Sequence, residues 1–384
     1  MNVPAHLDHI TRLVATLKSG TTEMGETITT VPLEEYRSPE RFAAERATVF
    51  RKLPIIAATA DELKAPGDCL AHDVLGSPVV LVRGEDNVVR GFLNVCRHRN
   101  TRIVSGEGVQ NCRAFKCPYH NWVYGLDGAL NAIPQAFGFP GLEREKMGLV
   151  PVPVVEQHGL IWMVADPKAP LDLDGHLAGI GADLDAFGFS DHVLFRRDKQ
   201  RRKTNWKLIA DAFLEAYHVQ RLHRATVAEF FTDNELCSDR LGRHVRSAIA
   251  RKATAEVIDR PAEEWHIGNH MTFAYFIFPC TVLVVQPDFH TLFSFVPTAV
   301  DETEVDHIMI VPQAPRNAEE REHYDRAFDY MDAGVFNGED VWVAEQAQSV
   351  IHSGANEVMT LGTFEHGVKF FHDTLNAAMA ELAD

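Results

Sequence analysis

Apolar residues recur every three or four places near the start of the chain, at Leu7, Ile10, Leu13, Val14 and Leu17. That spacing predicts helix over residues 1 to about 40. From about 45 to 165 the pattern shortens to β-type runs: "PVVLVRG", "VVRGFLNVC", "RAFKCPYH", "WVYGLDGAL" and "GLIWMVA". Gly and Asp turns separate these runs, as in a small antiparallel module. The stretch "DPKAPLDLDG" at 166–175 reads as a linker. Beyond it the pattern predicts a helix at about 205–220, a loop-rich stretch at about 224–265, and β runs at about 271–312. Helices at about 316–333, 339–352 and 363–382 close the chain. There is no internal repeat and no low-complexity tract. The expected fold class is α+β. A small antiparallel β domain, residues 42–165, is inserted in a larger domain of antiparallel sheet and helices, residues 1–41 and 166–384.

Composition narrows the partners. Of 384 residues, 46% are hydrophobic and 24% charged, the balance of a soluble globular protein. The formal charge of −17 argues against nucleic acid and anionic membranes. It suits docking to a basic protein, although acidic surfaces often mean only solubility. The start "MNVPAHLDHITRLV" lacks the basic residues and apolar core of a secretory signal. Apolar runs such as "FIFPCTVLVV" fall far short of the ~20 residues of a membrane helix, and Pro279 interrupts that one. A cytoplasmic location is expected. There Cys69, Cys96, Cys112, Cys117, Cys237 and Cys280 are ligands or buried thiols rather than disulfides.

Chemistry concentrates in "CRHRNTRIVSGEGVQNCRAFKCPYHNW", residues 96–122. Cys96 and His98 form C-x-H, and Cys117 and His120 form C-x-x-H. Two Cys and two His can close a tetrahedral zinc site. Each pair here mixes the two types, whereas zinc fingers usually pair like with like. Mixed pairs suit two irons sharing two sulfides, with Cys96 and Cys117 on one and His98 and His120 on the other. Neutral imidazoles make such a cluster less negative and place its potential at about −150 to +300 mV, against about −400 mV for an all-Cys plant-type cluster. Cys112 is off both pairs and reads as an ordinary residue.

A second constellation lies in "NWKLIADAFLEAYHVQRLH", residues 205–223. Asp211, Glu215 and His218 share one face of an ideal helix. His218 and His223, five apart, would point roughly 140° from each other, so they share a metal only if the helix ends or distorts after His218. One reading is a solvated face merely decorated by acid and imidazole. However, Leu208, Phe213, Leu214 and Tyr217 crowd the same helix, and buried carboxylates need partners. Two imidazoles and one carboxylate on one face of Fe(II) would supply them, leaving the other face for O₂ beside the substrate.

C-x-H followed by C-P-Y-H-x-W, with Tyr124 and Gly128, resembles the Rieske [2Fe–2S] module. The eighteen residues between His98 and Cys117 make its loop slightly longer than usual. N-W-K, an acid, then E-x-Y-H-x-x-x-x-H resembles the catalytic motif of Rieske non-heme iron oxygenases, the aromatic-ring-hydroxylating alpha-subunit family. The resemblance implies that His218 and His223 bind iron and that Glu215 relays between the two centres. Ala212 stands where the family often has Asn. A third ligand is implied at the start of a late helix, where "NGEDVWVAEQAQ" (337–348) offers Asp340, with Glu339 as the fallback. Both acids also simply favour the positive end of a helix.

The whole implies a terminal oxygenase that takes electrons from NAD(P)H through a separate reductase or ferredoxin and oxidises a small molecule with O₂. It also implies a homotrimer in which electrons cross from His120 of one subunit to Glu215 of the next. A Rieske electron carrier or redox sensor is the alternative, and a zinc-stabilised binding protein a distant third. Alternating Phe273, Tyr275, Phe278, Phe293 and Phe295 suit an apolar or aromatic substrate, about a third of them facing the pocket and the rest core. Arg240, Arg243, Arg246 and Arg251 read either as a solvated basic face or as the source of one carboxylate-binding group.

Overall fold

Seven strands build the largest sheet of the computed structural model, which describes residues 7–74, 76–261, 264–266 and 268–383. They are β1 (Val193–Arg202), β2 (Phe231–Leu241), β3 (His244–Arg251), β4 (Met271–Ile277), β5 (Thr281–Val285), β6 (His290–Ala299) and β7 (Glu302–Val311). Every neighbouring pair is antiparallel, in the order β1-β7-β6-β5-β4-β3-β2. Every residue of β4 and β5 is buried, so these central strands read as unbroken apolar runs. Side chains still alternate between faces. Phe273 and Tyr275 point one way, Phe273 against His9 and Tyr275 onto Phe187 and Asp183. Thr272 and Ala274 point the other way.

This sheet belongs to one of two compact units, Met1–Val49 with Asp174–Asp384. Its helices include α1 (Leu7–Ser19), α2 (Pro39–Ala47), α3 (Trp206–Ala212), α4 (Val219–Leu222), α5 (Ala318–Asp329), α6 (Val341–Val350) and α7 (His366–Glu381). The N-W-K motif anchors α3. Asn205 caps it by accepting the Lys207 N–H, while its amide donates to the carbonyls of Tyr36 and Val300. Trp206 Nε1 donates to one Glu45 oxygen at 2.9 Å and Lys207 Nζ to the other at 2.7 Å. Both charged side chains of that pair are fully buried. Burial pulls the Lys207 pKa down, and Glu45 acts against it.

The second unit, Phe50–Leu173, is a stack of short sheets. Five strands run in the order Pro151–Val152, Val89–Leu93, Ser77–Arg83, Asp68–Val74, Val109–Asn111. Phe115–Lys116, Val123–Tyr124 and Leu130–Ala132 form a small sheet, and Val154–Gln157, Leu160–Met163 and Ile55–Thr59 form another. The long segment between His98 and Cys117 adds the edge strand 109–111, which pairs with Asp68–Leu70. The chain is thus α+β with antiparallel sheets throughout. Among the described residues no helix is long and apolar enough to cross a membrane.

Several local expectations need correction. Residues 1–6 lie outside the described ones, and helix ends at Ser19, ahead of a left-handed Gly20. Thr29–Pro32 is instead a strand, paired with Val358–Leu361. The stretch read as loop at 224–265 holds the β2–β3 hairpin, whose polar, half-buried positions hide its alternation. The linker at 166–175 runs into a short helix, Leu173–His176, and β1 follows where no strand was expected. The two late helices are joined through a wide π-helical segment, Tyr330–Asp340.

Removing the Glu45 charge leaves a buried ammonium unpaired. Glu45→Ala is expected to lower stability by about 3–5 kcal/mol, measured by urea unfolding of the purified protein. A loss under about 1 kcal/mol would mean that Lys207 finds water or another acid.

Candidate metal centres and active site

Two five-residue turns carry the Cys/His pairs. In Cys96–Asn100 the Asn100 N–H donates to the Cys96 carbonyl, and in Cys117–Asn121 the Asn121 N–H donates to the Cys117 carbonyl. Each turn ends on an Asn in the left-handed region, φ 55° and 57°, a conformation Asn tolerates well. The turns bring the His98 and His120 rings within 4.6 Å of each other. Trp122 stacks on His98 at 4.8 Å, and Phe139 closes edge-on against both. Cys96 and Cys117 are buried in the same apolar cluster. Gly128 is needed beneath: its φ is +82°, and a Cβ there would lie 2.4 Å from the Phe92 ring.

His98 Nδ1 and His120 Nδ1 are buried yet have no hydrogen-bond partner among the described residues, which is costly unless a ligand takes their lone pairs. Burial, then the neighbouring His120 and Arg99, lowers the His98 pKa and favours the neutral, metal-binding form. The Tyr124 hydroxyl lies 3.3 Å from Cys96 Sγ and accepts the Arg97 N–H. Two thiols and two unpartnered imidazole nitrogens fit a cluster with Cys₂ on one iron and His₂ on the other.

The catalytic unit solves the five-residue spacing differently from expectation. The chain leaves the helix after Ala212, stays irregular to His218, and resumes as the single turn α4. The distortion therefore lies ahead of His218 rather than after it. Asp211 alone of the three expected face-sharing residues is helical, and Tyr217 is 44% exposed rather than core. Gly367 permits the break, because a Cβ there would sit 2.5 Å from the Leu214 carbonyl. His218 and His223 flank α4 at its two ends, and their rings come within 5.1 Å.

Asp340 arrives from the π-helical segment, a geometry common at functional sites. Asp332 pins that segment to the sheet by bonding His307 at 2.8 Å, whose ring is stacked between Phe293 and Phe328. One potential ligand atom each from His218, His223 and Asp340 lies within 4.8 Å of the other two. Asp340 Oδ1 is 3.1 Å from His223 Nε2 and 3.5 Å from His218 Nε2, and it is buried without a well-directed hydrogen bond. The outer nitrogens are held by carboxylates. His218 Nδ1 bonds Glu215, and His223 Nδ1 bonds Glu339 at 2.6 Å. Glu215 also accepts the N–H groups of Tyr217 and His218, and Thr226 donates to Glu339. Such partners fix the tautomer and aim Nε2 inward.

Burial lowers the His218 pKa, but Glu215 and Asp340 outweigh it and hold the ring above its ordinary value. Burial likewise opposes charge on His223, yet Asp340 and then Glu339 push it up to about 9. The space between the two Nε2 atoms thus favours positive charge, which a divalent cation held by His218, His223 and Asp340 would supply in place of protons. Glu339, read as a fallback ligand, occupies the far side of His223. Its clue was the E-D dipeptide itself, whose neighbouring side chains diverge. Thr226 carried no signal.

A cavity of about 470 Å³ adjoins these residues, with Phe213, Phe230, Phe231, Phe289 and Tyr330 in its wall. None of the five expected aromatics lines it. Phe273 and Tyr275 face away, and Phe293 and Phe295 pack on Phe213 and Phe336. Of the four arginines only Arg251 lines it. Arg243 pairs with Glu381, Arg246 with Asp183 and Asp239, and Arg240 lies over Phe370.

The family model for the ring hydroxylating alpha subunit catalytic domain matches residues 189–381, and that for the Rieske [2Fe-2S] domain matches residues 54–143. The chain belongs to the Rieske oxygenases. It is therefore a terminal oxygenase that uses a [2Fe–2S] cluster, a non-heme iron and electrons from a reductase, which disfavours the reading as an electron carrier. It is 30% identical over 362 residues to the carnitine monooxygenase oxygenase subunit of Escherichia coli (strain K12), spanning 90% of this chain and 92% of that one. Over 209 residues it is 29% identical to chloroplastic choline monooxygenase of Spinacia oleracea, spanning 53% of this chain and 47% of that one. A quaternary ammonium Rieske monooxygenase solved with L-carnitine shares 25% identity at a TM-score of 0.77, covering 91% of this chain and 94% of that one. Naphthalene 1,2-dioxygenase from Rhodococcus sp. reaches a TM-score of 0.79 at 20% identity, over 99% and 100% of the two chains, a likeness of fold alone.

Were Cys96 a cluster ligand, a Tyr124 hydroxyl donating to its thiolate would favour the more negative reduced state. Tyr124→Phe is expected to lower the cluster potential by about 40–60 mV, one hydrogen bond's worth. A redox titration followed in the visible spectrum measures it, and an unchanged potential would place the phenol's proton elsewhere.

Proposed function

We propose that this oxygenase acts on a quaternary ammonium compound, hydroxylating a carbon attached to the nitrogen. The carrying observation is the convergence of His218, His223 and Asp340 beside a cavity walled by aromatic faces. Such faces attract a desolvated cation through their quadrupoles. Supporting it, the relatives that align over nine-tenths of the chain are named for carnitine. The expectation of an apolar or aromatic substrate is not carried forward, since its five aromatics lie outside the cavity wall.

In this reading His218, His223 and Asp340 hold Fe(II), while Cys96, His98, Cys117 and His120 hold the cluster. When bound, the two centres supply O₂ activation and its electrons. Glu215 and Glu339 keep the Nδ1 protons on the two imidazoles, so that Nε2 stays free to bind. The apolar wall excludes water from the reacting carbon, and the aromatic rings set the ammonium's orientation. Hydroxylation next to nitrogen consumes O₂, two electrons and two protons and releases water. The resulting carbinol then loses its hydroxyl proton as its C–N bond breaks, the bonding pair leaving with nitrogen, to give a neutral amine and a carbonyl product. Subunits assemble as a trimer, in which Glu215 joins His218 to His120 of a neighbouring subunit through hydrogen bonds.

With a surrogate reductase, a screen of quaternary ammonium compounds is expected to give substrate-dependent O₂ uptake and an amine product. Turnover of aromatic hydrocarbons alone would overturn the reading. His218→Ala is expected to lose one of about three irons per chain and all turnover, yet keep the cluster's visible spectrum. Glu215→Gln is expected to keep both centres while cluster re-oxidation by O₂ and substrate slows by at least about 100-fold. Rapid re-oxidation in that variant would remove Glu215 from the path.

A further inference from the structure

Arg251 stands in the cavity wall together with His218, His223 and Asp340. It ends β3 with its backbone N–H bound to the His270 carbonyl at 2.9 Å, so its side chain projects from a fixed strand. The half-buried guanidinium donates to Thr272 Oγ1 at 3.2 Å and lies over the rings of Phe230 and Phe231, at 5.6 and 5.4 Å. Among the described residues no carboxylate comes within ion-pair distance of it, whereas Arg246 on the same strand pairs with Asp183 and Asp239, and Arg243 in the turn before it pairs with Glu381. Burial lowers its pKa, with no opposing acid among the described residues. A guanidinium carries five N–H donors in a planar fork, and most of this fork is uncommitted beside an apolar cavity. A cation left so is costly unless a bound anion completes it.

We infer that Arg251 binds a carboxylate on the substrate, so that the substrate is a zwitterion carrying both a quaternary ammonium and a carboxylate. The inference rests on the quaternary ammonium reading for its cationic half only. A quaternary nitrogen cannot shed its charge. At the Arg251 end of the cavity a simple cation meets repulsion, whereas a zwitterion whose carboxylate faces that end turns the same arginine into an attraction. The aromatic rings then face the ammonium, and the fork fixes the opposite end. This separates two kinds of compound named for relatives. Carnitine and glycine betaine carry a carboxylate; choline does not.

The test compares wild-type holoenzyme with Arg251→Gln and Arg251→Lys, after the cluster spectrum has shown each to be folded. Three probes are titrated by calorimetry: a quaternary ammonium carboxylate, the matching alcohol without the carboxylate, and the acid whose nitrogen is replaced by carbon. Steady-state kinetics follow for the first two. The wild type is expected to favour the carboxylate over the alcohol. Arg251→Gln is expected to raise KM for the carboxylate by roughly 30-fold or more, with kcat falling far less. Arg251→Lys, which keeps the charge but loses the fork, should fall between. Equal handling of carboxylate and alcohol by the wild type, or equal losses for both in Arg251→Gln, would overturn the inference and leave the ammonium reading standing. Arg251-dependent binding of the carbon acid with no ammonium turnover would do the reverse. Absence of binding by all three probes would overturn both.

Discussion

An α-helix sends side chains five apart to opposite sides, and two imidazoles that must meet at one point cannot both ride on it. Everything in the catalytic unit is arranged around breaking that helix between Phe213 and His218. The Asn205 cap and the buried Glu45–Lys207 pair hold α3 rigidly up to the break. Gly367 lets α7 close on the Leu214 carbonyl. Glu215 then gathers two backbone N–H groups and the His218 ring, replacing the helical bonds that the break gives up. The carboxylate that positions the imidazole also pays the backbone cost of the distortion.

Charge follows from the same geometry. Three carboxylates, Glu215, Glu339 and Asp340, surround two imidazoles, and the ring pKa values rise because the acids outweigh burial. The acids nevertheless do different work. Asp340 faces the space between the two Nε2 atoms, while Glu215 and Glu339 hold the outer nitrogens. The cluster turns show a similar division in a more apolar setting: Trp122, stacked on the His98 ring, and Phe139, edge-on to it, hold that ring through aromatic contacts.

The cluster motif was the most legible part of the sequence, because Cys96 with His98 and Cys117 with His120 each lie in one local turn, so that only the meeting of the two turns is left to the fold. His218, His223 and Asp340 were legible as residue types, but their convergence depends on a helix break that propensity did not show. Substrate-facing residues were not legible. Whether Phe273 or Thr272 faces the cavity depends on which face of β4 is covered, a tertiary fact, and in a strand buried on both faces no polarity marks the difference. The β2–β3 hairpin was hidden for the opposite reason, since its charged side chains pair within the fold. That pairing left Arg251 as the one arginine of the four in the cavity wall.

The π-helical segment Tyr330–Asp340 ends on the two adjacent carboxylates that serve opposite sides of His223. Adding or removing one residue between the Asp332 anchor and Glu339 would rotate everything beyond it by roughly a quarter of a turn. Both acids would then swing out of place together, whatever the composition of the segment. Side chains between them can vary as packing allows, but the number of residues cannot. Part of the information that builds the metal site is thus carried as a length rather than as a set of identities, and it is invisible to any comparison that scores residues one position at a time.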